Sequence, residues 1–281
     1  ITPLFAPDLR PFFGPYVSLS FTGMREPDGR LELSSFSLSS SAMVLGGNLV
    51  IGADGLPERF GLDGLIGAEG PVLLPVSGPE TWVEQAEIAA SFDASDGDQW
   101  TLSAAVAGLL RDGLSIDAIT LAGGGTISRG DLQSVTADLD ATASGIAHAN
   151  ADLARALGED LTVSASLVSQ EGEALRLTRL EVEGAGLQLT AQGQVGGVEA
   201  GFPVDGSLRL ISDDISRFSG LAGQNLSGAA EVTVTGRATA LSGAFDADVI
   251  ARTTGLGIGM AQIDPLLGGE TVLEATARRD E

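Results

Sequence analysis

Residues 161–167 read Leu-Thr-Val-Ser-Ala-Ser-Leu, and this short stretch indicates the class of fold. Apolar and hydroxyl side chains alternate along it with a period of two. Because successive side chains of an extended strand point to opposite faces, the apolar ones share one face and the hydroxyls the other. The same alternation recurs along nearly the whole chain of 281 residues. The pattern therefore predicts an all-β protein.

Turn residues separate the alternating runs at short intervals. Combinations of Pro, Asp, Ser, Glu and Gly occupy residues 27–29, 54–55, 95–97, 171–172 and 196–197. Such turns leave no room for helical crossovers, so neighbouring strands are expected to pair antiparallel. Three runs change phase midway, at residues 31–38, 114–121 and 175–182. A β-bulge or a short break at each would return the apolar side chains to one face.

A seven-residue unit that is not strand-like recurs among the strands. Residues 8–14, 152–158, 214–220 and 262–268 align without gaps, and all four end in Gly. Three begin with Asp, so each unit is interpreted as one or two helical turns with Asp as the N-cap and Gly after the last turn. Degenerate copies are expected around 61–67 and 108–110. The organisation predicted is one elongated array over residues 1–281, with units beginning near 8, 152, 214 and 262.

Composition excludes several functional classes. The chain has 38 acidic and 15 basic residues, a net charge of −23, and every basic residue is Arg. Nucleic acid is therefore not expected as a partner, because phosphate binding needs clustered cations. The absence of Cys excludes disulfides, thiolate metal sites and a Cys nucleophile. No run of about 18 uncharged apolar residues is present, so any targeting or membrane segment is expected to lie outside this sequence.

Motifs for catalysis or metal binding are also missing. The one histidine, His148, is interpreted as a surface residue. The acidic turn 93–98 lacks the ligand spacing of a calcium loop and is interpreted as a hairpin turn. Residues 123–131 are interpreted as a Gly-rich loop between strands. Neither a phosphate-binding loop nor a nucleophile elbow occurs, so no enzyme activity, metal or cofactor is expected.

The apolar face of the strands is therefore the candidate functional surface. Either a second sheet seals it as a closed core, or the sheet curls around an open apolar groove. Small residues at many inward positions, such as Ala90, Ala165 and Ala191, favour the groove because a packed core would fill that space. The predicted groove lining, hereafter the predicted lining residues, comprises Val17, Leu19, Phe21, Leu49, Ile51, Leu102, Val106, Leu161, Val163, Leu167, Leu187, Leu189, Leu208, Leu210, Val232, Val234, Phe245 and Val249.

These patterns resemble a known family. Residues 214–237, 241–246 and 263–269, together with 57–60 and 71–80, are similar to the TamB family of AsmA-like bridge proteins, which belong to the translocation and assembly module of Gram-negative bacteria. The resemblance covers essentially the whole chain. It implies a taco-shaped, solenoid-like β-groove lined with apolar residues, with short helical caps between runs of strands.

The resemblance also implies a function. Family members are anchored in the inner membrane, span the periplasm and work with the outer-membrane barrel TamA. They are associated with phospholipid movement between the membranes and with outer-membrane protein assembly. The expected activity is therefore a periplasmic lipid conduit whose ligands are phospholipid acyl chains, with TamA contacted by regions outside this chain.

Two alternatives remain open at this stage. A strand-pairing chaperone for outer-membrane or secreted proteins would use exposed backbone edges instead of the apolar lining. A closed β-solenoid spacer would have its interior filled by side chains and would bind no ligand.

Overall fold

The structure is a computed structural model that describes residues 10–76, 78–129, 133–196, 203–239 and 244–279. Strands account for 67% of it and are hydrogen-bonded in an antiparallel sheet that does not close. This confirms the predicted all-β, antiparallel class with short helices. The strands described are β1 (Ser18–Arg25), β2 (Leu31–Ser39), β3 (Met43–Ile51), β4 (Pro57–Ile66), β5 (Val72–Leu73), β6 (Thr81–Val83), β7 (Gln85–Asp93), β8 (Gln99–Arg111), β9 (Leu114–Arg129), β10 (Gln133–Ser144), β11 (Ala147–His148), β12 (Leu161–Gln170), β13 (Leu175–Gly184), β14 (Leu187–Val195), β15 (Pro203–Ser212), β16 (Ser227–Thr239), β17 (Ala244–Gly257) and β18 (Glu270–Arg279). The helices described are α1 (Arg10–Phe13), α2 (Ala151–Leu157), a 3₁₀ helix (Ile215–Phe218), α3 (Ser219–Ala222) and α4 (Asp264–Leu267).

The chain forms two compact units. Unit 1 contains the described residues up to Ser128 together with Ala141–Gly145, and unit 2 contains Arg129–Asp140 and the described residues from Ile146 onwards. In unit 1, β1 to β4 pair consecutively and β4 then pairs with β7, because the short hairpin of β5 and β6 is inserted between them. In unit 2, β12 to β18 pair consecutively. The interpretation as a single repeat array stays a prediction.

Tight turns connect the strands where the sequence places them. Residues 27–29, 54–55, 95–97 and 171–172 each join two antiparallel neighbours. In the acidic turn, Asp93 Oδ1 accepts hydrogen bonds from the Ser95 backbone N–H at 2.9 Å and the Ser95 hydroxyl at 2.7 Å. The Ser95 hydroxyl is the main cause that lowers the pKa of Asp93. The other carboxylate oxygen, Oδ2, accepts a hydrogen bond from Arg59 Nε at 2.9 Å, so both oxygens of Asp93 are occupied. The fifth predicted turn includes Gly197, which lies outside the described residues.

Two of the three predicted phase changes are register shifts. The pairing of β2 with β3 shifts between Leu33 and Phe36, and that of β13 with β14 shifts between Leu177 and Leu180. Each inserts one extra residue, which keeps the apolar side chains on one face. The third, in β9, produces no register shift in the pairing with β8, where Ala107 lies opposite Ala118 and Leu109 opposite Ile116.

Helical caps occur in all four seven-residue segments, but the predicted capping is only partly correct. The N-cap of α2 is Asn150, whose Oδ1 accepts hydrogen bonds from the backbone N–H groups of Asp152 and Leu153 at 2.9 and 3.2 Å. Asp152 lies in the first turn instead, where its charge complements the helix dipole. Asp214 is an N-cap as predicted, and it accepts a hydrogen bond from the Ser216 backbone N–H. Asp8 lies outside the described residues.

The predicted terminal glycines are also partly wrong. Gly158 follows α2 with a φ of 79°, which an L side chain rarely adopts. Gly220 lies inside α3, which continues to Ala222 and ends at Gly223. Gly268 follows α4 in the right-handed region, at a φ of −69°. These two glycines therefore do not act as left-handed helix ends.

Three glycine-rich segments predicted as helical turns or a loop are strands. Residues 61–67 lie mostly in β4, 108–110 lie in β8, and 123–129 lie in β9. A β-carbon on Gly64 would lie 2.9 Å from Leu45 Cδ1 and 2.8 Å from Ile88 Cγ2 on the two neighbouring strands. Gly123 likewise lies opposite Leu102. These glycines make room for large cross-strand neighbours, and the last part of the predicted loop lies outside the described residues.

Gly206 on β15 provides a test of close approach between the backbones of adjacent strands. Its β-carbon in Gly206→Ala would lie 2.5 Å from the Gln192 carbonyl oxygen on β14. We expect the variant to lose about 1–3 kcal/mol of unfolding free energy, the usual cost of overpacking, in urea denaturation followed by circular dichroism. The control is Gly46→Ala on β3, where the nearest atom, the Phe36 carbonyl oxygen, is 3.7 Å away. Equal losses in both variants would contradict the interpretation.

Candidate functional site

The cross-strand register of unit 2 assembles a continuous apolar face. Leu189 lies opposite Leu210, which lies opposite Val232 on its other side. Two complete rows cross all seven strands from β12 to β18, a distance of about 29 Å at the usual strand spacing. The first row is Val163, Val182, Leu189, Leu210, Val232, Ala251 and Leu273, and the second is Ala165, Leu180, Ala191, Leu208, Val234, Val249 and Ala275. We call this surface the unit 2 apolar face.

The predicted lining residues of unit 2 all belong to this face. Their alternation along each strand is in phase with the two rows, so none of them points to the opposite side. They are Leu161, Val163 and Leu167 on β12, Leu187 and Leu189 on β14, Leu208 and Leu210 on β15, Val232 and Val234 on β16, and Phe245 and Val249 on β17.

Unit 1 has an apolar face built in the same way. One row runs through Leu19, Leu38, Leu45, Gly64, Ile88, Ala104 and Leu121, and the next through Phe21, Phe36, Gly47, Leu62, Ala90, Leu102 and Gly123. The predicted lining residues Leu49, Ile51 and Val106 share this face by alternation along β3 and β8. Val17 precedes β1 and is half-buried. We call this surface the unit 1 apolar face.

Several residues of both faces were missed at the sequence level. β2, β4, β7 and β13 contributed no predicted lining residue, although they supply Phe36, Leu62, Ile88 and Leu180. The alternation was visible in β2 and β13, but their phase changes hid which residues share a face. In β4 the glycines obscured the alternation.

Both faces are half-exposed. Eight apolar residues of the described chain are buried, and none of the predicted lining residues is among them. Phe21 is 67% exposed and Phe245 is 38% exposed. A closed core would bury such side chains almost completely. Most apolar side chains of the two faces therefore lie on an unsealed surface. The buried exceptions are Phe92 and Ile127, which share the unit 1 apolar face by alternation along β7 and β9.

A depression of about 340 Å³ lies on the unit 2 apolar face. Gly193, Gly206 and Gly236 lie side by side on β14, β15 and β16 and line it. Larger apolar residues border these glycines on both sides along the strands, among them Leu208, Val234, Val195, Val204 and Phe245. The absence of side chains at the glycines makes the face concave at this point.

Charged and hydroxyl side chains occupy the opposite side of the unit 2 strands. Arg209 donates from Nε and Nη2 to the two carboxylate oxygens of Glu231, both at 2.9 Å. The hydroxyls of Ser164 and Ser166 donate to Asp140 and Asp138, each at 2.6 Å. Several charged side chains are thus hydrogen-bonded on the polar side of the strands, and the apolar rows lie on the other side.

Metal-binding side chains are not clustered in the described parts of the chain. No cluster of three or more His, Cys, Asp or Glu side chains that could hold a metal ion occurs there. His148 ends the short strand β11 and is half-buried, and its Nδ1 accepts a hydrogen bond from the Asn150 backbone N–H at 2.9 Å.

Comparison with known proteins adds no family assignment. No protein-family model, no curated protein and no solved structure matches the chain. The resemblance to the TamB family therefore depends on the sequence patterns alone. None of the described helices has the length and hydropathy that a membrane-spanning helix requires.

The ion pair between Arg209 and Glu231 has a measurable consequence. The hydrogen bond from Arg209 is the main cause that lowers the pKa of Glu231. A carboxylate with a lowered pKa stabilises the folded state above its unfolded pKa of about 4.3, and this stabilisation is lost as the pH falls through the folded pKa.

We expect Arg209→Gln to raise the pKa of Glu231 in a ¹³C NMR titration. The control is Arg237→Gln, which removes an equal charge from another position on β16 and should leave the pKa of Glu231 unchanged. Equal pKa shifts in both variants would contradict the role of Arg209.

Proposed function

We propose that the apolar faces bind the acyl chains of phospholipids and let them move along the sheet. The observation that supports this is the combination of continuity and exposure: apolar rows cross seven strands in each unit, yet none of the predicted lining residues is buried. A surface of this kind is unfavourable in water unless an apolar partner covers it. A flexible hydrocarbon chain matches the apolar chemistry of this surface, and it would fit the depression lined by glycines on the unit 2 apolar face.

The energetics suit reversible binding. Burying a methylene is worth about 0.8 kcal/mol, so a chain of roughly 16 carbons would gain on the order of 12 kcal/mol if fully sheltered. A face that is open on one side shelters only part of the chain and yields a fraction of this. Since neighbouring rows have similar composition, the binding energy changes little as the chain slides from strand to strand. The proposed activity therefore needs no single binding residue.

The acidic character of the chain favours recognition of the acyl chain over the headgroup. The net charge is −23, and two of the arginines of the unit 2 polar side, Arg179 and Arg209, are paired with glutamates. An anionic headgroup would find no cluster of free cations in these pairs and is expected to remain in the solvent. Headgroup identity should thus have little effect on affinity.

The biological setting of this proposal follows the family resemblance. In that setting the chain is a periplasmic segment that carries phospholipid between the inner and outer membranes. It supports outer-membrane protein assembly with TamA, which regions outside this chain would contact. The unsealed faces in each unit disfavour the closed spacer. A strand-pairing chaperone would depend on the strand edges, and the following experiment separates it from lipid binding.

The experiment compares two double variants on the same pair of strands. Leu208→Asp with Val234→Asp places two charges opposite one another on the unit 2 apolar face, and Ser207→Asp with Thr235→Asp places them opposite one another on the polar side. Native mass spectrometry and binding of a phospholipid with a fluorescent acyl chain would measure lipid on each. We expect the apolar-face variant to bind phospholipid at least about tenfold more weakly than the wild type, because a bound acyl chain would strip water from the two new carboxylates.

The polar-side variant is the matched control, and its lipid binding should stay within about twofold of the wild type. Both variants must retain the circular dichroism of a β-sheet for the comparison to count. A folded wild-type chain that binds no phospholipid would overturn the proposal. Equal loss in both variants would do the same, because it would show an effect of charge alone.

A further inference from the structure

The short helices of unit 2, α2, the 3₁₀ helix, α3 and α4, line one end of its strands, and we call them the cap helices. Because β12, β16 and β18 begin next to a cap helix while β15 and β17 end next to one, the cap helices share one end of the antiparallel strands. Arg217 Nη2 donates to the Arg155 carbonyl oxygen at 3.0 Å, which joins the 3₁₀ helix to α2. Asp264 Oδ1 accepts from the Ile258 backbone N–H at 2.9 Å, which joins α4 to the segment after β17. The cap helices are thus fixed to the sheet.

The unit 2 apolar face is buried where it meets the cap helices. The next row toward them, beyond Leu210 and Val232, runs through Ser212, Ala230 and Thr253. Ser212 is 3% exposed and Thr253 is 7% exposed, although both are small polar residues. The 3₁₀ helix contacts β16 and α4 contacts β17, so these helices cover the row. The cap helices therefore form a wall along this side of the face.

The other side of the same face is more exposed. Leu175, Val204 and Phe245 lie in the row beyond the glycines, at the ends of the strands away from the cap helices. Val204 is 39% exposed, and the other two are exposed to a similar degree. The depression lies beside this row, and its lining includes Asp205 and Arg237. Across the strands, the face thus changes from a buried side to an exposed side bordered by charged residues.

This difference matters to a phospholipid, because its two ends have opposite requirements. A charged headgroup must keep its water, since burying an unpaired charge is strongly unfavourable. The end of an acyl chain gains most where water is excluded most completely. One orientation on the face satisfies both ends. Since the depression is bordered by one carboxylate and one guanidinium, the exposed side favours neither sign of headgroup charge.

We propose that a phospholipid on the unit 2 apolar face lies with the ends of its acyl chains toward the cap helices and its headgroup at the side away from them. The inference rests on the proposed function and adds the orientation of the lipid to it. Cap helices recur before β12, between β15 and β16, and between β17 and β18, so the orientation is the same along the unit. The lipid therefore moves from strand to strand with its headgroup on one side throughout.

Fluorescence quenching by nitroxide-labelled phospholipids tests the orientation. The natural chain contains no Cys, so a single cysteine can carry a bimane label. Ala238→Cys lies in the exposed row beyond the glycines, and Ala251→Cys lies in the first complete row, nearer the cap helices. The two positions are about 20 Å apart along the strands. Each labelled protein is measured with a phosphatidylcholine that carries the nitroxide on its headgroup and with one that carries it near the end of an acyl chain.

The expected result is an opposite preference at the two positions. The headgroup nitroxide should quench the label at residue 238 at least about twofold more than the acyl-chain nitroxide does, and the order should reverse at residue 251. Because both lipids are measured on the same labelled protein, a change in affinity caused by the label affects both. Thr233→Cys, on the polar side of β16, is the control and should be quenched less than either position by both lipids.

The outcomes separate the orientation from lipid binding itself. Quenching at both positions with the same preference, or with the preferences exchanged, would overturn the orientation and leave binding to the apolar face intact. Quenching at residue 233 as strong as at the other two positions would overturn both, because the lipid would not distinguish the two sides of the sheet. A wild-type chain that binds neither phospholipid would likewise overturn the proposed function together with the orientation.

Discussion

The register of the strand pairs is the constraint on which the rest of this structure depends. Side chains alternate with a period of two, so a slip of one residue in any pair would turn every apolar side chain of that strand to the polar side. The apolar rows stay continuous because each strand is in phase with its neighbours. Where the sequence would drift out of phase, an extra residue between Leu33 and Phe36, and another between Leu177 and Leu180, corrects it.

Register also explains the unusual use of small residues. A sheet that leaves its apolar face half-exposed cannot rely on a sealed core, so the strands are held by backbone pairing and by contacts between neighbouring side chains. Large residues such as Leu62 and Leu102 pack beside Gly or Ala on the adjacent strands. Other glycines, Gly193, Gly206 and Gly236, hollow out the unit 2 apolar face. Small residues thus allow close packing between strands in unit 1 and leave a depression in the face of unit 2.

Much of the architecture could be predicted because its causes are local in sequence. The alternation, the turns and the position of the short helices each follow from a few adjacent residues. The sequence-based predictions were wrong where a residue distant in sequence determines the local structure. Glycine-rich residues 123–129 form a strand because Leu102 and Trp100 on β8 lie opposite two of the glycines. Asn150 caps α2 in place of Asp152, a shift of two residues that the repeat alignment hid.

The candidate site was likewise predicted only in part from the sequence. By itself, the sequence determined which side chains of a strand share a face, since that depends only on the period of two, and it thereby selected Leu189, Leu210 and Val232. Only the tertiary structure decided that these residues meet in one row, that the row includes β13 and β18, and that the described residues of the unit leave it only half-buried. The physical reason is that alternation is a property of one strand, whereas register and exposure are properties of its neighbours.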